Sequence, residues 1–526
     1  MRFFNTTGPV ETDDHYVLDP LQRIAYEEVS SFIDQKRYFI LHAPRQTGKT
    51  SSLLSLMKKI NEEGKYRCLY VNVESAQAAT YDVTAGIKTI LSKIVEFSRY
   101  YLNETSMEEE WLDILNKHGA YDALDVFLTR WCEKSAIPSI LFLDEIDALI
   151  GDTLISVLRQ LRSGYTKRPI NFPQSVVLCG VRDVRDYRIR TSKDEIITGG
   201  SAFNIKAKSL RLGNFTKEDI YTLYDQHTEE TSQKFTGDAL DHIWHLTRGQ
   251  PWLVNALGYQ LCFESKKNRD RSILITKDLV DKAKEELILR RDTHLDQLTD
   301  KLREDRVHRI IAPIISCEDE TSHLSPDDIG YVYDLGLVDY NEEGDIDIAN
   351  PIYREVIPRS LNAVMSDGMS VKRSMYIDQE FKVDMMLLMS KFQNFFRMHS
   401  GHWVESFKYK EAGPQLLLQA FLQRIVNGGG RIEREYALGR RRTDLLVIYP
   451  YGDNKVQRIV IELKILYQSL EKTIDVGLKQ TADYMDISNA NEGHLIIFDR
   501  SDISWDEKIF DKTFRQGNKE MKVWGM

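Results

Sequence analysis

The chain has 526 residues, of which 42% are hydrophobic and 29% charged. That is enough for about three or four domains with large cores, and it excludes wholesale disorder. Lysine and arginine total 70 against 80 aspartate and glutamate, a net charge of −10. The molecule as a whole is therefore not a basic nucleic-acid coat, and any such contact must be a local patch. The longest purely apolar runs, such as SVVLC and IVI, fall far short of the roughly 18 residues of a membrane span. The first residues, MRFFNTTGPVETDD, carry no apolar leader. Cys68, Cys132, Cys179, Cys262 and Cys317 are scattered, with no C-x-x-C pair. These features lead us to expect a cytoplasmic protein in a reducing compartment, with no membrane contact.

In chain order, residues 1–212 alternate strand-like apolar runs with amphipathic helices. The runs are YFILHA (38–43), YRCLYVNV (66–73), SILFLDE (139–145) and SVVLCGV (175–181). Continuous apolar strands separated by helix-length segments imply a parallel sheet covered on both faces. Before the first run, Asp19 caps and Pro20 opens a helix with Leu21, Ile24, Val29, Phe32 and Ile33 on one face. Residues 213–292 read as a helical unit. Residues 293–365 read as a short helical unit ending in a hairpin, the pattern of a winged helix. Residues 366–376 are small and polar, a linker composition. Residues 366–526 then form a second α/β domain with a helical lead-in and the strands YALGRRRTDLLVIYP, IVIELKI and GHLIIFD.

Residues 43–50 read APRQTGKT, between an apolar strand and the helix SSLLSLMKKI. This is the Walker A pattern with Ala43 in place of its first glycine. Backbone amides of Pro44 through Ser51, excepting the proline, and the dipole of the following helix suit phosphate oxygens. The nucleotide-binding candidates are therefore Pro44, Arg45, Gln46, Thr47, Gly48, Lys49, Thr50 and Ser51. Gly48 lets the backbone close on the phosphates, Lys49 reaches the β and γ oxygens, and the Thr50 hydroxyl ligates Mg²⁺. The strand ILFLDEID ends in an acidic pair, the Walker B arrangement. Asp144 holds Mg²⁺ through water and Glu145 orients or deprotonates the attacking water, which implies ATP hydrolysis.

On these motifs, the first ~365 residues resemble AAA-like ATPases close to the STAND and archaeal-ATPase groups. The resemblance implies a P-loop core, a helical lid and a winged helix. It maps a polar sensor to Arg182 and a lid motif to Gly249-Gln250-Pro251, with Pro251 near the base. It also makes HYVLDPLQR an N-terminal signature, so that His15, Tyr16 and Arg23 line the nucleotide pocket. Arg159 and Arg162 are read as a solvated helix face, with fingers toward a neighbouring subunit of a homo-oligomer as the alternative. The would-be recognition helix carries Asp327, Asp328 and Asp334, and the wing Glu342, Glu343 and Asp345. Such charges repel phosphates, so protein contact or relay of the nucleotide state is expected in place of DNA binding.

In the C-terminal block, RTDLLVIYP and QRIVIELKI flank the turn YGDNK. A symmetric hairpin centred on Asp453 sets Asp444 opposite Glu462, and Glu462 shares a strand face with Lys464. Two carboxylates there suit Mg²⁺ or Mn²⁺, and the lysine suits a scissile phosphate and attacking water. Over about residues 405–510 this pattern resembles the PD-(D/E)XK nuclease superfamily, although Thr443, not proline, precedes Asp444. The resemblance adds Glu411 as the upstream helical glutamate, and Gln480 with Tyr484 as a supporting Gln-x-x-x-Tyr. Arg431, Arg434, Arg440, Arg441 and Arg442 supply a local basic patch for phosphates, with an ordinary solvated turn as the alternative.

The resulting expectation is an ATPase that gates or positions a metal-dependent nuclease, with nucleic acid as partner, DNA ahead of RNA. By resemblance, the layout suits prokaryotic genome defence. The alternative is a nucleotide-switched module whose C-terminal domain binds nucleic acid without cutting it. A translocating motor ranks last, because paired helicase motifs are not found.

Overall fold

The computed structural model describes the chain except residues 184–186, 191–195, 291–292, 303, 317–323, 342–343, 364–375, 379, 407–417, 419–421, 423–430, 435–444, 452–454, 467–468, 500 and 502. Two compact units emerge: Met1–His294 with Ser325–Ile352, and Leu295–Leu324 with Tyr353–Met526.

The first unit is built on a five-stranded parallel sheet. Its strands are β1 (Tyr38–His42), β2 (Arg67–Asn72), β3 (Ser139–Asp144), β4 (Ser175–Gly180) and β7 (Lys206–Arg211), in the order β2-β3-β4-β1-β7. Between β4 and β7 in the chain, β5 (Arg188–Arg190) and β6 (Ile196–Thr198) pair antiparallel as a separate two-stranded sheet. β1, β3 and β4 are buried along their whole length, as their apolar composition demands. One face packs Phe39, Tyr70, Phe142 and Val177 against the helices Tyr26–Asp34 and Lys49–Glu63. The other packs Ile40, Leu69, Leu141 and Leu178 against the helices Val83–Leu102, Ala123–Glu133 and Gly151–Ser163. Ile87, Ile90, Leu91 and Ile94 supply the buried stripe of Val83–Leu102. At about 1.5–3 kcal/mol for each such side chain, tertiary packing outweighs helix propensity there.

Two local outcomes differ from the sequence reading. The helix expected from Pro20 is interrupted: a 3₁₀ turn, Pro20–Ile24, is followed by Ala25 at φ 36° and then by the helix Tyr26–Asp34. The break lets each piece serve a different partner, because Arg23 in the turn donates to the Thr47 carbonyl while Val29, Phe32 and Ile33 enter the core. Strand β7 carries no apolar run, since its place at the sheet edge tolerates Lys206, Lys208 and Arg211.

Residues 213–292, expected as a lid, hold the helices Lys217–Thr231, Gly237–Thr247, Pro251–Tyr259 and Lys277–Arg290. The first begins in a capping box, with Thr216 and Asp219 each bonding the other's backbone amide. Ser325–Ile352 adds the helix Pro326–Asp334 and an antiparallel hairpin, β8 (Val338–Tyr340) and β9 (Ile346–Ile348).

The second unit holds a separate mixed sheet. Its strands are β10 (Arg431–Arg434), β11 (Leu445–Tyr451), β12 (Lys455–Ile465), β13 (Glu492–Phe498), β14 (Phe510–Gln516) and β15 (Lys519–Gly525), in the order β10-β11-β12-β13-β15-β14. β10, β11 and β12 form an antiparallel meander. The helix Leu470–Ser488 then crosses over to β13, which runs parallel to β12. The helix Met385–Ser406 packs Leu388, Met389 and Phe392 on one face, with Val447, Ile461 and Ile496. Leu470–Ser488 packs Ile474, Leu478 and Tyr484 on the other, with Leu446, Val460 and Leu495.

Candidate nucleotide and carboxylate sites

The phosphate loop joins β1 to the helix Lys49–Glu63. Ala43 continues the strand, its amide donating to the Gly180 carbonyl at 3.2 Å while its methyl is buried in the core. That position needs no positive φ, which explains alanine where the motif has glycine. Gln46 (φ 56°) and Gly48 (φ 87°) make the turn, and the Thr47 hydroxyl donates to the Pro44 carbonyl at 2.7 Å. Gly48 has no spare room, since a Cβ there would lie 3.0 Å from Arg23 Nη1. Lys49 is buried, and its Nζ donates to the carbonyls of Ala43 (2.9 Å) and Pro44 (3.0 Å). Arg45 is exposed on the loop, and the Ser51 hydroxyl accepts from the Val10 amide at 3.1 Å.

Asp144 at the end of β3 is fully buried and accepts hydrogen bonds from Thr50, Tyr70 and the Glu145 amide. Thr50 Oγ1 donates to its Oδ2 at 2.8 Å, the Tyr70 hydroxyl to the same oxygen at 2.9 Å, and the Glu145 amide to Oδ1 at 2.9 Å. Glu145 has left-handed backbone (φ 57°), which costs a non-glycine residue about 1–3 kcal/mol. Burial, then the neighbouring Asp144 charge, raises its carboxyl above the usual range. Burial and Asp144 also raise the Tyr70 phenol, so it stays a donor. Gln46, Gly48, Lys49, Thr50, Tyr70 and Glu145 share a cavity of about 750 Å³. A hydroxyl and a carboxylate this close, beside a lysine, fit a hard divalent cation carrying phosphates.

A smaller cavity of about 120 Å³ adjoins the loop, lined by Tyr16, Arg23, Thr47, Gly48, Pro251 and Asn255 among others. Arg23 donates to the carbonyls of Thr47 (2.7 Å) and Gly213 (2.5 Å), and burial lowers its guanidinium to about 10. The Tyr16 hydroxyl meets His227 Nδ1 of the lid at 3.1 Å, and burial raises it to about 12. Pro251 opens a lid helix behind Gly249, which sits at φ 72°. A Cβ on Gly249 would come within 1.9 Å of the Phe215 carbonyl oxygen. His15 lies away from both cavities, bonded to the Glu11 amide and packed on Phe3.

Arg182, mapped as a sensor, also lines neither cavity. Its guanidinium lies over the rings of Tyr187 (4.8 Å) and Tyr331 (4.7 Å). It is one of four contacts that dock the segment after the lid onto neighbouring strand ends. His42, ending β1, faces Asp334 at 3.6 Å, and Arg211, ending β7, donates to the Tyr333 hydroxyl at 3.0 Å and carbonyl at 3.2 Å. Gly336 packs on Pro44 so closely that a Cβ would lie 2.5 Å away. Arg159 and Arg162 are exposed on Gly151–Ser163.

In the second unit, β11 and β12 pair Tyr451 with Lys455 and Leu445 with Ile461, the register of a hairpin centred on Asp453. Asp444, Glu411, Arg440, Arg441 and Arg442 lie outside the described residues, whereas Arg431 and Arg434 are the ends of β10. Glu462 is 2% exposed, and Lys464 Nζ donates to its Oε1 at 2.6 Å. Alternation from Val460 puts both on the face covered by Leu470–Ser488, the helix that carries Gln480 and buried Tyr484. Among the described residues, no group of three or more His, Cys, Asp or Glu side chains is placed to hold a metal. No described helix is long and apolar enough to cross a membrane.

The model of the AAA-like domain family matches residues 7–357. Among solved structures, the chain is similar to the Walker-type ATPase of Pyrococcus abyssi at 14% identity and a TM-score of 0.47, covering 67% of this chain and 99% of that one. It is similar to Cdc6p from Pyrobaculum aerophilum at 14% identity and a TM-score of 0.35, covering 69% and 97%. For the Drosophila ORC bound to DNA the identity is 12% and the TM-score 0.35, covering 68% and 94%. Nothing among the curated proteins matches the chain.

Proposed function

This chain belongs to the AAA-like domain family, and from that premise we propose that it couples ATP hydrolysis to metal-dependent hydrolysis of nucleic-acid phosphodiesters. In the first unit, Lys49, now on the carbonyls of Ala43 and Pro44, would bind the β and γ phosphates alongside the loop amides. Thr50 and Asp144 would hold Mg²⁺, which would neutralise charge on the phosphates. Glu145 orients the attacking water and takes its proton, a role its raised carboxyl suits. Tyr16, Arg23 and Pro251 border the smaller cavity, which we assign to the base.

In the second unit, an antiparallel meander followed by a helical crossover to a parallel strand supports the PD-(D/E)XK reading. The observation that carries it is the Glu462–Lys464 pair at 2.6 Å, on the face under the helix bearing Gln480 and Tyr484. Glu462 and Asp444 would hold Mg²⁺ or Mn²⁺, which supplies Lewis-acid activation of the phosphodiester when bound. Lys464 would position the attacking water, with Glu411 and Gln480 in support. The preferred substrate is DNA, and a genome-defence role rests on the resemblance of the layout alone.

The gating proposal is supported by chain connectivity. Ser325–Ile352 belongs to the nucleotide-binding unit, where its helix end touches Pro44 and the ends of β1 and β7, yet it is flanked on both sides by chain of the second unit. The nuclease reading is tested by incubating supercoiled plasmid, single-stranded DNA and RNA with the protein and Mg²⁺ or Mn²⁺. Cutting that Glu462→Ala abolishes is expected. Nucleic-acid binding without cutting would replace the nuclease with a nucleotide-switched binding module.

A further inference from the structure

The geometry points to Tyr70 as a positioning residue for the ATPase reaction, its hydroxyl holding the Asp144 carboxylate in the orientation that receives the magnesium of the nucleotide. This rests on the reading of Asp144 as a holder of that metal. Tyr70 stands on β2, two residues before Asn72, which is the register partner of Asp144. Its hydroxyl therefore crosses from one strand to the end of the next, reaching Asp144 Oδ2 at 2.9 Å.

The phenol has little freedom to leave. Tyr70 is 4% exposed, and its ring is met edge-on by Phe97 (6.1 Å, 73°) and Tyr101 (6.0 Å, 90°), which stack on each other at 5.7 Å. Both come from the helix Val83–Leu102, so the packing of that helix sets where the hydroxyl points. The carboxylate needs such support, because it is fully buried and water cannot fix its orientation.

The donors on Asp144 differ in what metal binding asks of them. The Glu145 amide on Oδ1 is fixed by the chain. Thr50 donates to Oδ2 at 2.8 Å, but its oxygen is itself a proposed ligand and must turn a lone pair to the cation. Tyr70 has no such second duty and stays on Oδ2 when the metal arrives. Partners of this kind typically contribute about ten- to a hundredfold to metal affinity.

The test is calorimetric titration of a non-hydrolysable ATP analogue into full-length protein, in EDTA and over a Mg²⁺ series, for wild type, Tyr70→Phe, Phe97→Leu and Asp144→Asn. Tyr70→Phe keeps the ring and is expected to raise half-saturating Mg²⁺ by roughly tenfold. Its affinity in EDTA should match wild type, and the lost hydrogen bond to a buried carboxylate should lower the melting temperature by only a few degrees. Phe97→Leu leaves the phenol in place but loosens its wedge, and should shift the Mg²⁺ requirement the same way by a smaller factor. Wild-type Mg²⁺ dependence in both variants overturns the proposal. Should Asp144→Asn also keep the wild-type Mg²⁺ dependence, the metal reading of Asp144 fails first, and this one with it.

Discussion

Glu145 concentrates the cost and the chemistry of the ATPase site. It holds left-handed backbone beside a buried carboxylate, and both its burial and that neighbour disfavour its own charge. Glu145→Gln should lower ATP turnover by about two to four orders of magnitude while leaving nucleotide binding intact, measured by steady-state hydrolysis beside equilibrium titration. The sign of the pH effect follows from the raised carboxyl. Native-state protonation is favoured, so the stabilisation it gives is complete below the ordinary glutamate range and is lost as pH rises through the folded value. Glu145→Gln should therefore raise the melting temperature at pH 8 and leave it unchanged at pH 4. Turnover of the wild type should fall on the acid side at a higher pH than an unperturbed glutamate would give. Lys49 and Thr50 are legible in the sequence because strand, loop and helix fix their spacing, and Asp144 with Glu145 because an apolar strand ends in that acidic pair. Tyr70 is not, because it reads as one more core residue of an apolar strand, and only the fold shows its hydroxyl at Asp144. For Arg182, position in sequence could not reveal that its guanidinium is taken up by Tyr187 and Tyr331.

Among the elements, those with an unambiguous period are the ones the sequence announces. The four apolar runs of the first unit become β1 to β4, and the turn centred on Asp453 sets the register of β11 on β12. β7 and the hairpin of β14 and β15 are harder to see. Lys206–Arg211 and Phe510–Gln516 are mostly polar, and their strand character comes from pairing at sheet edges. Asp19 and Pro20 do open a helical turn, but no propensity rule foretells the left-handed Ala25 that ends it. A similar local demand acts at Gly249, where positive φ and the Phe215 carbonyl both exclude a side chain. Gly249→Ala should lower stability by more than about 1–3 kcal/mol in thermal or denaturant unfolding. Gly237→Ala, where an added Cβ meets open space, should stay close to wild type.

Across the whole molecule, the nucleotide loop and the chain leading into the second unit meet at one helix end. Pro44, His42, Arg182 and Arg211 take up Gly336, Asp334, Tyr331 and Tyr333, so a loop that moves on binding ATP moves the ground on which that segment stands. Tyr333→Ala removes the ring under Arg211 without touching the loop. It should preserve ATP turnover within a few-fold while weakening the response of nucleic-acid cleavage to ATP, read from both rates in one preparation. On the proposed function, two chemistries share one chain and the first controls the second. The most direct test of that control is the rate of plasmid cleavage with Mg²⁺, with and without ATP, for wild type and Lys49→Ala. Cleavage should change rate with ATP in the wild type and ignore ATP in Lys49→Ala. ATP hydrolysis by a wild-type protein that cuts no substrate, or cleavage indifferent to ATP in both proteins, would contradict it.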